Sequence, residues 1–163
     1  MIGGFISILR LLADFQVDFI VVGGVAGNIL GSARLTYDLD LVYKRSRVNL
    51  ERLVRAFAPV HPYLRGAPPG LPFTFDLKTL RNGLNFALTI DLGAVDLLGE
   101  VPGGRIYEEL LPHSFEVDEQ GVRFKCVGLE RLIAMKNAAG RPKDFEAIAE
   151  LRAIQEEQEG ESR

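Results

Sequence analysis

Two stretches decide the fold: Val22-Gly23-Gly24-Val25-Ala26, and, a short spacer later, Arg34-Leu35-Thr36-Tyr37-Asp38-Leu39-Asp40-Leu41-Val42-Tyr43. The first closes a continuous β-rich run, Phe19 to Val22, which suits a central strand buried on both faces. Its glycine pair ends that strand and opens a short helix over residues 25 to 30, which Gly31 stops. The second stretch alternates, with Arg34, Thr36, Asp38 and Asp40 on one face and Leu35, Tyr37, Leu39 and Leu41 on the other. It predicts a strand over residues 34 to 43.

Outward from this pair, Phe5, Ile6, Leu9, Leu12 and Ala13 recur at helical spacing and predict an amphipathic helix ending near Phe15. On the other side, Asn49 is placed to cap a helix whose Leu50, Leu53, Val54 and Phe57 line one face, with Pro59 at its end. Residues 61 to 72 are proline-rich and contain the breaker Pro68-Pro69-Gly70, so they read as a loop, either a surface connection or a lid. Two strand-like runs over residues 85 to 92 and 94 to 98 meet at Gly93. A second hairpin spans residues 115 to 127 around Glu119-Gln120-Gly121. Gly140 separates two closing helices, residues 129 to 139 and 142 to about 156, with Pro142 in the first turn where a proline is tolerated. The expected fold class is α/β or α+β, one mixed sheet flanked by helices, in a single domain of residues 1 to 154. Residues 155 to 163 are acidic and polar and are expected to form a disordered tail.

Composition agrees. The 163 residues are 47% apolar and 25% charged, with a net charge of −3, the balance of one ordinary globular domain. At this size a chain buries roughly 70% of the surface it exposes when unfolded, so its core needs neither metal nor disulfide. The one cysteine, Cys126, excludes an internal disulfide and suits a reducing compartment. No apolar run approaches the ~20 residues of a membrane span, so the expected location is the cytoplasm and no membrane partner is expected. A cluster of Lys44, Arg45, Arg47, Arg52 and Arg55 offers local anion binding. His61, His113 and Cys126 lack the spacing of a zinc site.

Chemistry concentrates at Asp38 and Asp40. Two residues apart on a strand, they emerge on one face with Cα atoms roughly 6 to 7 Å apart, so their carboxylates can converge. Aspartate is depleted in strands and paired carboxylates repel, which makes the arrangement costly unless a cation neutralises it. Mg2+ takes oxygen ligands of this kind together with substrate phosphates. Gly23 and Gly24, at a strand-to-helix turn, offer backbone N–H groups to a phosphate.

These residues resemble the opening motif of the nucleotidyltransferase superfamily with a polymerase-β-like minimal core: a hydrophobic residue, Gly-Gly, a spacer and Asp-x-Asp. The resemblance implies a third carboxylate from a later strand. Asp96, in Ala94-Val95-Asp96-Leu97-Leu98, looks like that position, with Asp91 as its rival. Residues 129 to 144 are similar to the closing helices of bacterial abortive-infection and toxin–antitoxin members, in which a lysine of this helix reaches the nucleotide phosphates. Lys136 is the matching residue, although an edge lysine snorkelling from an apolar helix reads the same way. Arg141, Lys143 and Asp144 fit an interhelix turn as well. The resemblance implies transfer of a nucleoside monophosphate from an NTP to an acceptor, which could be a protein hydroxyl, a tRNA or a small molecule. Asp38, Asp40 and Asp96 would be catalytic and hold two Mg2+ ions, or Mn2+, and Gly23, Gly24, Arg34, Thr36 and Lys136 would bind nucleotide. A cognate antitoxin is among the partners it implies. The alternative is a non-catalytic module that binds a nucleotide or a partner protein, suggested by the short chain.

Overall fold

The computed structural model describes residues 2–102 and 105–163. Among these, seven strands form one mixed sheet in the order β3-β4-β5-β2-β1-β7-β6. The opening helix α1 (Ile6–Asp14) buries Ile8, Leu9 and Leu12, and β1 (Phe19–Val22) is buried at all four residues. From β1 the chain turns directly into α2 (Gly23–Ile29) and returns through β2 (Asp38–Tyr43). β2 pairs antiparallel with β1.

Helix α3 (Arg47–Phe57) follows, capped by Ser46, whose side chain accepts from the Asn49 amide. Asn49, expected at the cap, is instead a buried clamp. Its Oδ1 accepts from the Asp18 amide at 2.7 Å, and its Nδ2 donates to the carbonyls of Asp18 and Lys44 at 3.0 and 2.7 Å. These bonds answer backbone groups that would otherwise be buried unpaired.

The proline-rich segment contains a two-residue strand, β3 (Tyr63–Leu64), paired with β4 (Asn85–Ile90). Before β4 lies a helix without counterpart in the sequence reading, α4 (Leu77–Asn82), started by Asp76 accepting from the Thr79 amide. β4 and β5 (Gly93–Leu98) form the expected hairpin. Next come α5 (Tyr107–Leu110) and the second expected hairpin, β6 (Ser114–Glu119) with β7 (Val122–Val127). The closing helices are α6 (Leu129–Ala139) and α7 (Pro142–Glu161), separated by Gly140 at φ +62.

Two further expectations change. Residues 155 to 161, expected as disordered tail, continue α7 to Glu161. Gln and Glu are good helix formers, and a helix already nucleated and packed through Ala147, Ile148 and Leu151 propagates into them. The second change concerns residues 34 to 37, which are not strand. β1 contributes four residues, the last pairing Val22 with Asp40, and β5 meets β2 no earlier than Asp38 with Ala94. Residues 34 to 37 therefore have no neighbouring strand, and Leu35 and Tyr37, expected to share a strand face with Leu39 and Leu41, are instead 85% and 81% exposed.

No helix among the described residues is long and apolar enough to cross a membrane.

Candidate active site

The site is built by strand register. β2 and β5 run parallel with Asp40 directly opposite Asp96 and Asp38 opposite Ala94. Adjacent strands are roughly 4.8 Å apart, so Asp96 stands beside Asp40 on the face that also carries Asp38. Leu39, Leu41, Val95 and Leu97 point the other way and are buried. Oxygens of Asp38, Asp40 and Asp96 lie within 4.8 Å of one another, the cluster among the described residues that could hold a metal ion. Asp91, the rival for the third carboxylate, sits at the β4–β5 turn and pairs with His61 at 2.7 Å, outside this cluster.

The glycine pair is required by what packs on it. Gly23 has φ +65, and a Cβ there would overlap the Asp40 carboxylate. At Gly24 a Cβ would lie 2.6 Å from Thr36 Oγ1. The missing Cβ atoms thus let the Asp40 and Thr36 side chains pack directly on the backbone of the first turn of α2. Asp40 is the least comfortable of the three carboxylates. Burial, then the neighbouring Asp38 charge, push its pKa up from 3.8 to about 6, against the opposing pull of Lys136, Arg65 and Arg141. Its Oδ1 is buried with no hydrogen-bond partner. An all-oxygen set with an uncommitted lone pair fits a hard divalent cation.

Gly23, Gly24, Arg34, Thr36, Asp38, Asp40, Asp96 and Lys136 line one cavity of about 340 Å3, together with Arg141 and Asp144. Arg34 and Thr36 reach it from an irregular loop rather than from β2. Asn28 Nδ2 donates to the carbonyls of Ser32 and Arg34 at 3.1 and 2.8 Å, Ser32 bonds Glu150 of α7, and Thr36 Oγ1 donates to the Asp38 carbonyl at 3.2 Å. Such side-chain bonds take the place of a strand ladder. Arg34 also pairs with Glu146 at 3.5 Å.

Lys136 is largely buried, with Nζ 3.9 Å from Asp144 Oδ1. Burial lowers its pKa, while the Asp144 and Asp40 charges act to raise it. Asp144 is 2% exposed and also receives Arg141 Nε at 2.8 Å. Burial alone would raise its pKa, but the hydrogen bonds and charge of Arg141, with the charge of Lys136, hold it below the usual carboxylate range. One buried carboxylate therefore anchors two cations at the cavity wall.

Sequence reasoning missed Arg65. Its Nη1 donates to Asp38 Oδ2 at 3.1 Å and its Nη2 to Asp96 Oδ1, bridging two of the three aspartates. The residue follows β3, and the short pairing of β3 with β4, continued by the Arg65 amide bond to the Ala87 carbonyl, brings it there. The basic cluster that drew attention instead follows the far end of β2. From Asp38 to Tyr43 a strand rises roughly 17 Å, and Arg45 there donates to the carbonyls of Leu80 and Arg81.

Residues 91–162 match a family described as "Nucleotidyl transferase of unknown function (DUF2204)". No curated protein matches the chain in sequence. In structure the chain is similar to a candidate nucleotidyltransferase of Thermotoga maritima, at TM-score 0.56 and 16% identity, over 90% of this chain and 91% of the other. It is also similar to a lincosamide antibiotic adenylyltransferase solved with lincomycin bound, at TM-score 0.62 and 13% identity, over 94% of this chain and 98% of that one. At such identities the likeness shows the fold. The Gly-Gly and Asp-x-Asp stretch thus stands in a chain that has the fold of the nucleotidyltransferase superfamily and whose residues 91–162 match one of its families.

Proposed function

We propose that this protein transfers a nucleoside monophosphate from an NTP to an acceptor hydroxyl, with pyrophosphate leaving, at the cavity lined by Asp38, Asp40 and Asp96. The observation that carries this reading is the β2–β5 register. It stacks Asp96 on Asp40 beside Asp38 and leaves Asp40 Oδ1 buried and unpartnered. A fold that needed Asp40 only for stability would gain by replacing it, since a buried carboxylate oxygen without a partner, beside the charge of Asp38, is costly.

In this reading Asp38, Asp40 and Asp96 hold Mg2+, with Mn2+ as a substitute. When bound, the cations would lower the acceptor hydroxyl's pKa and offset charge on the leaving pyrophosphate. In the same reading Asp96 would receive the acceptor's proton as the new oxygen–phosphorus bond forms and the bond to the pyrophosphate oxygen breaks. Lys136 and Arg141, held by Asp144, face the same cavity and supply positive charge for the triphosphate. Gly23, Gly24, Arg34 and Thr36 form its other wall. A non-catalytic module remains the rival, but a short chain does not favour it. The lincosamide adenylyltransferase matches this chain over 98% of its own length, so a chain of this size can carry an adenylyltransferase without a further domain.

The resemblance to abortive-infection members extends the proposal to a toxin–antitoxin setting, for which co-purification of a cognate partner is the check. The activity itself is tested by incubating the protein with Mg2+ and each NTP labelled at the α-phosphate, in cell extract. Label entering a protein, tRNA or small-molecule fraction supports transfer and identifies the acceptor class. Absence of label with all four NTPs, alongside NTP binding, would favour the non-catalytic module.

A further inference from the structure

Arg65 occupies an unusual position. Its backbone is pinned, since its amide donates to the Ala87 carbonyl at 2.9 Å. Its side chain is 29% exposed and reaches across to Asp38 and Asp96. The two oxygens it engages, Asp38 Oδ2 and Asp96 Oδ1, belong to the carboxylates that the preceding section assigns to the metal. Mg2+ binds carboxylate oxygens at about 2.0 to 2.1 Å, so an ion held through these two oxygens would compete with the guanidinium for them. The mutual repulsion of the two cations in a partly buried site would be strong.

The geometry also allows the head group to leave. Gly66 follows at φ +80 with open space around its Cα, and the segment continues through Pro68, Pro69 and Gly70 on the exposed side. Because the side chain is partly exposed, its head group can move into solvent on a fixed backbone without disturbing the β3–β4 pairing. Asp40, by contrast, receives no hydrogen bond from Arg65, and its buried Oδ1 has no partner, so the guanidinium satisfies two of the three carboxylates and leaves the third unanswered.

We propose that Arg65 is the resident counter-cation of the three-aspartate cluster, displaced by the incoming divalent ion, so that this side chain sets the ion concentration at which the site loads. This rests on the metal-binding reading above and adds to it a specific competitor. Arginine suits the role because its planar fork satisfies two carboxylates at once, which a lysine ammonium does not reproduce.

The test is Mn2+ binding, without nucleotide, to wild type, R65Q and R65K, read by the free Mn2+ electron paramagnetic resonance signal. R65Q should bind roughly tenfold more tightly than wild type, equivalent to about 1.4 kcal/mol. R65K, which keeps the charge and loses the bridge, should lie closer to R65Q than to wild type. In parallel, the Arg65 Nε–H resonance of 15N-labelled wild type should be ordered in the metal-free protein and become mobile on adding Mg2+. If R65Q fails to fold, R65K and the resonance decide. Equal Mn2+ affinity in all three proteins, or tightest binding by wild type, would overturn the proposal while leaving the metal site standing. R65K matching wild type while R65Q binds tighter would also overturn it, because charge alone would then explain the effect. If no protein binds Mn2+, the metal-binding reading falls and this inference falls with it.

Discussion

Replacing Asp40 by asparagine should make the metal-free protein more stable at pH 8, although a site residue is being removed. The magnitude follows from the environment. Burial and the Asp38 charge raise the Asp40 pKa from 3.8 to about 6, and at about 1.36 kcal/mol per decade that amounts to about 3 kcal/mol of destabilisation once the group is ionised. The sign runs with proton binding. Between pH 3.8 and about 6 the folded state holds this proton more tightly than the unfolded chain, so stability from Asp40 is full below that window. It is lost as pH rises through about 6 and then levels off. Asp40→Asn lacks the titration, so the difference between the two denaturation curves in EDTA should grow from near zero at pH 4 to at most about 3 kcal/mol at pH 8. For a chain of this length that is about 6–12 °C in Tm. Mg2+ should then raise the wild-type Tm at pH 8 and leave the variant nearly unmoved. If Asp40→Asn is no more stable than wild type at pH 8 in EDTA, or if the two curves stay parallel from pH 4 to 8, Asp40 is a structural partner and the reasoning fails. Asp38→Asn is the contrast: it breaks the Arg65 pair at 3.1 Å and should not share the gain.

Gly23→Ala should cost about 1–3 kcal/mol in urea denaturation, because alanine is strained at φ +65 and its methyl would overlap the Asp40 carboxylate; full stability with unchanged Mg2+ response would refute this packing account. Lys136→Ala should weaken NTP binding at least tenfold by isothermal titration while leaving Mn2+ binding nearly unchanged, and Lys143→Ala should do less; equal effects of the two would remove Lys136 from the nucleotide subsite. Asp144→Asn should lose about 1–3 kcal/mol at pH 7, because it strips the anchor from Lys136 and Arg141. Since the folded Asp144 pKa is depressed, that difference should be present above pH 4 and vanish as pH falls through the folded value; a difference that persists in acid would point to packing rather than charge.

The parts of the fold that were legible in sequence are those whose signal is local. Phe19 to Val22 reads as a central strand because four consecutive β-formers need two buried faces, and all four are buried. Gly140 marks the break between α6 and α7 because its φ of +62 suits no other residue as well. The alternation over residues 34 to 43 predicts strand throughout, yet only Asp38–Tyr43 is strand. Alternation describes a face, whereas a ladder requires a neighbour, and none reaches Leu35 or Tyr37. Helix α4 has only six residues, too short for a repeating apolar stripe; its local signals are Leu77 and Leu80 at i, i+3 and Asp76, three residues before the Thr79 amide it caps.

The site divides in the same way. Asp38 and Asp40 declared themselves by spacing, whereas Asp96 entered through the family resemblance, and what sets it apart from Asp91 is the β2–β5 register. Arg65 carried no signal, because its meeting with Asp38 and Asp96 is created by a strand of two residues pairing across the sheet. Asp144 looked like a helix-start residue, which it is, but its burial against Lys136 and Arg141 emerges only when α6 and α7 pack.

The claim on which the rest depends is that the three aspartates meet around a divalent ion that carries the nucleotide. Anomalous diffraction from a crystal grown with Mn2+ and a non-hydrolysable NTP analogue tests it directly. The expected result is an anomalous peak within about 2.0 to 2.3 Å of Asp38 and Asp40 oxygens, with the triphosphate between them and Lys136 and the Arg65 guanidinium withdrawn. An analogue bound with no peak between the aspartates and Arg65 still bridging Asp38 and Asp96, or a peak elsewhere on the molecule, would contradict it.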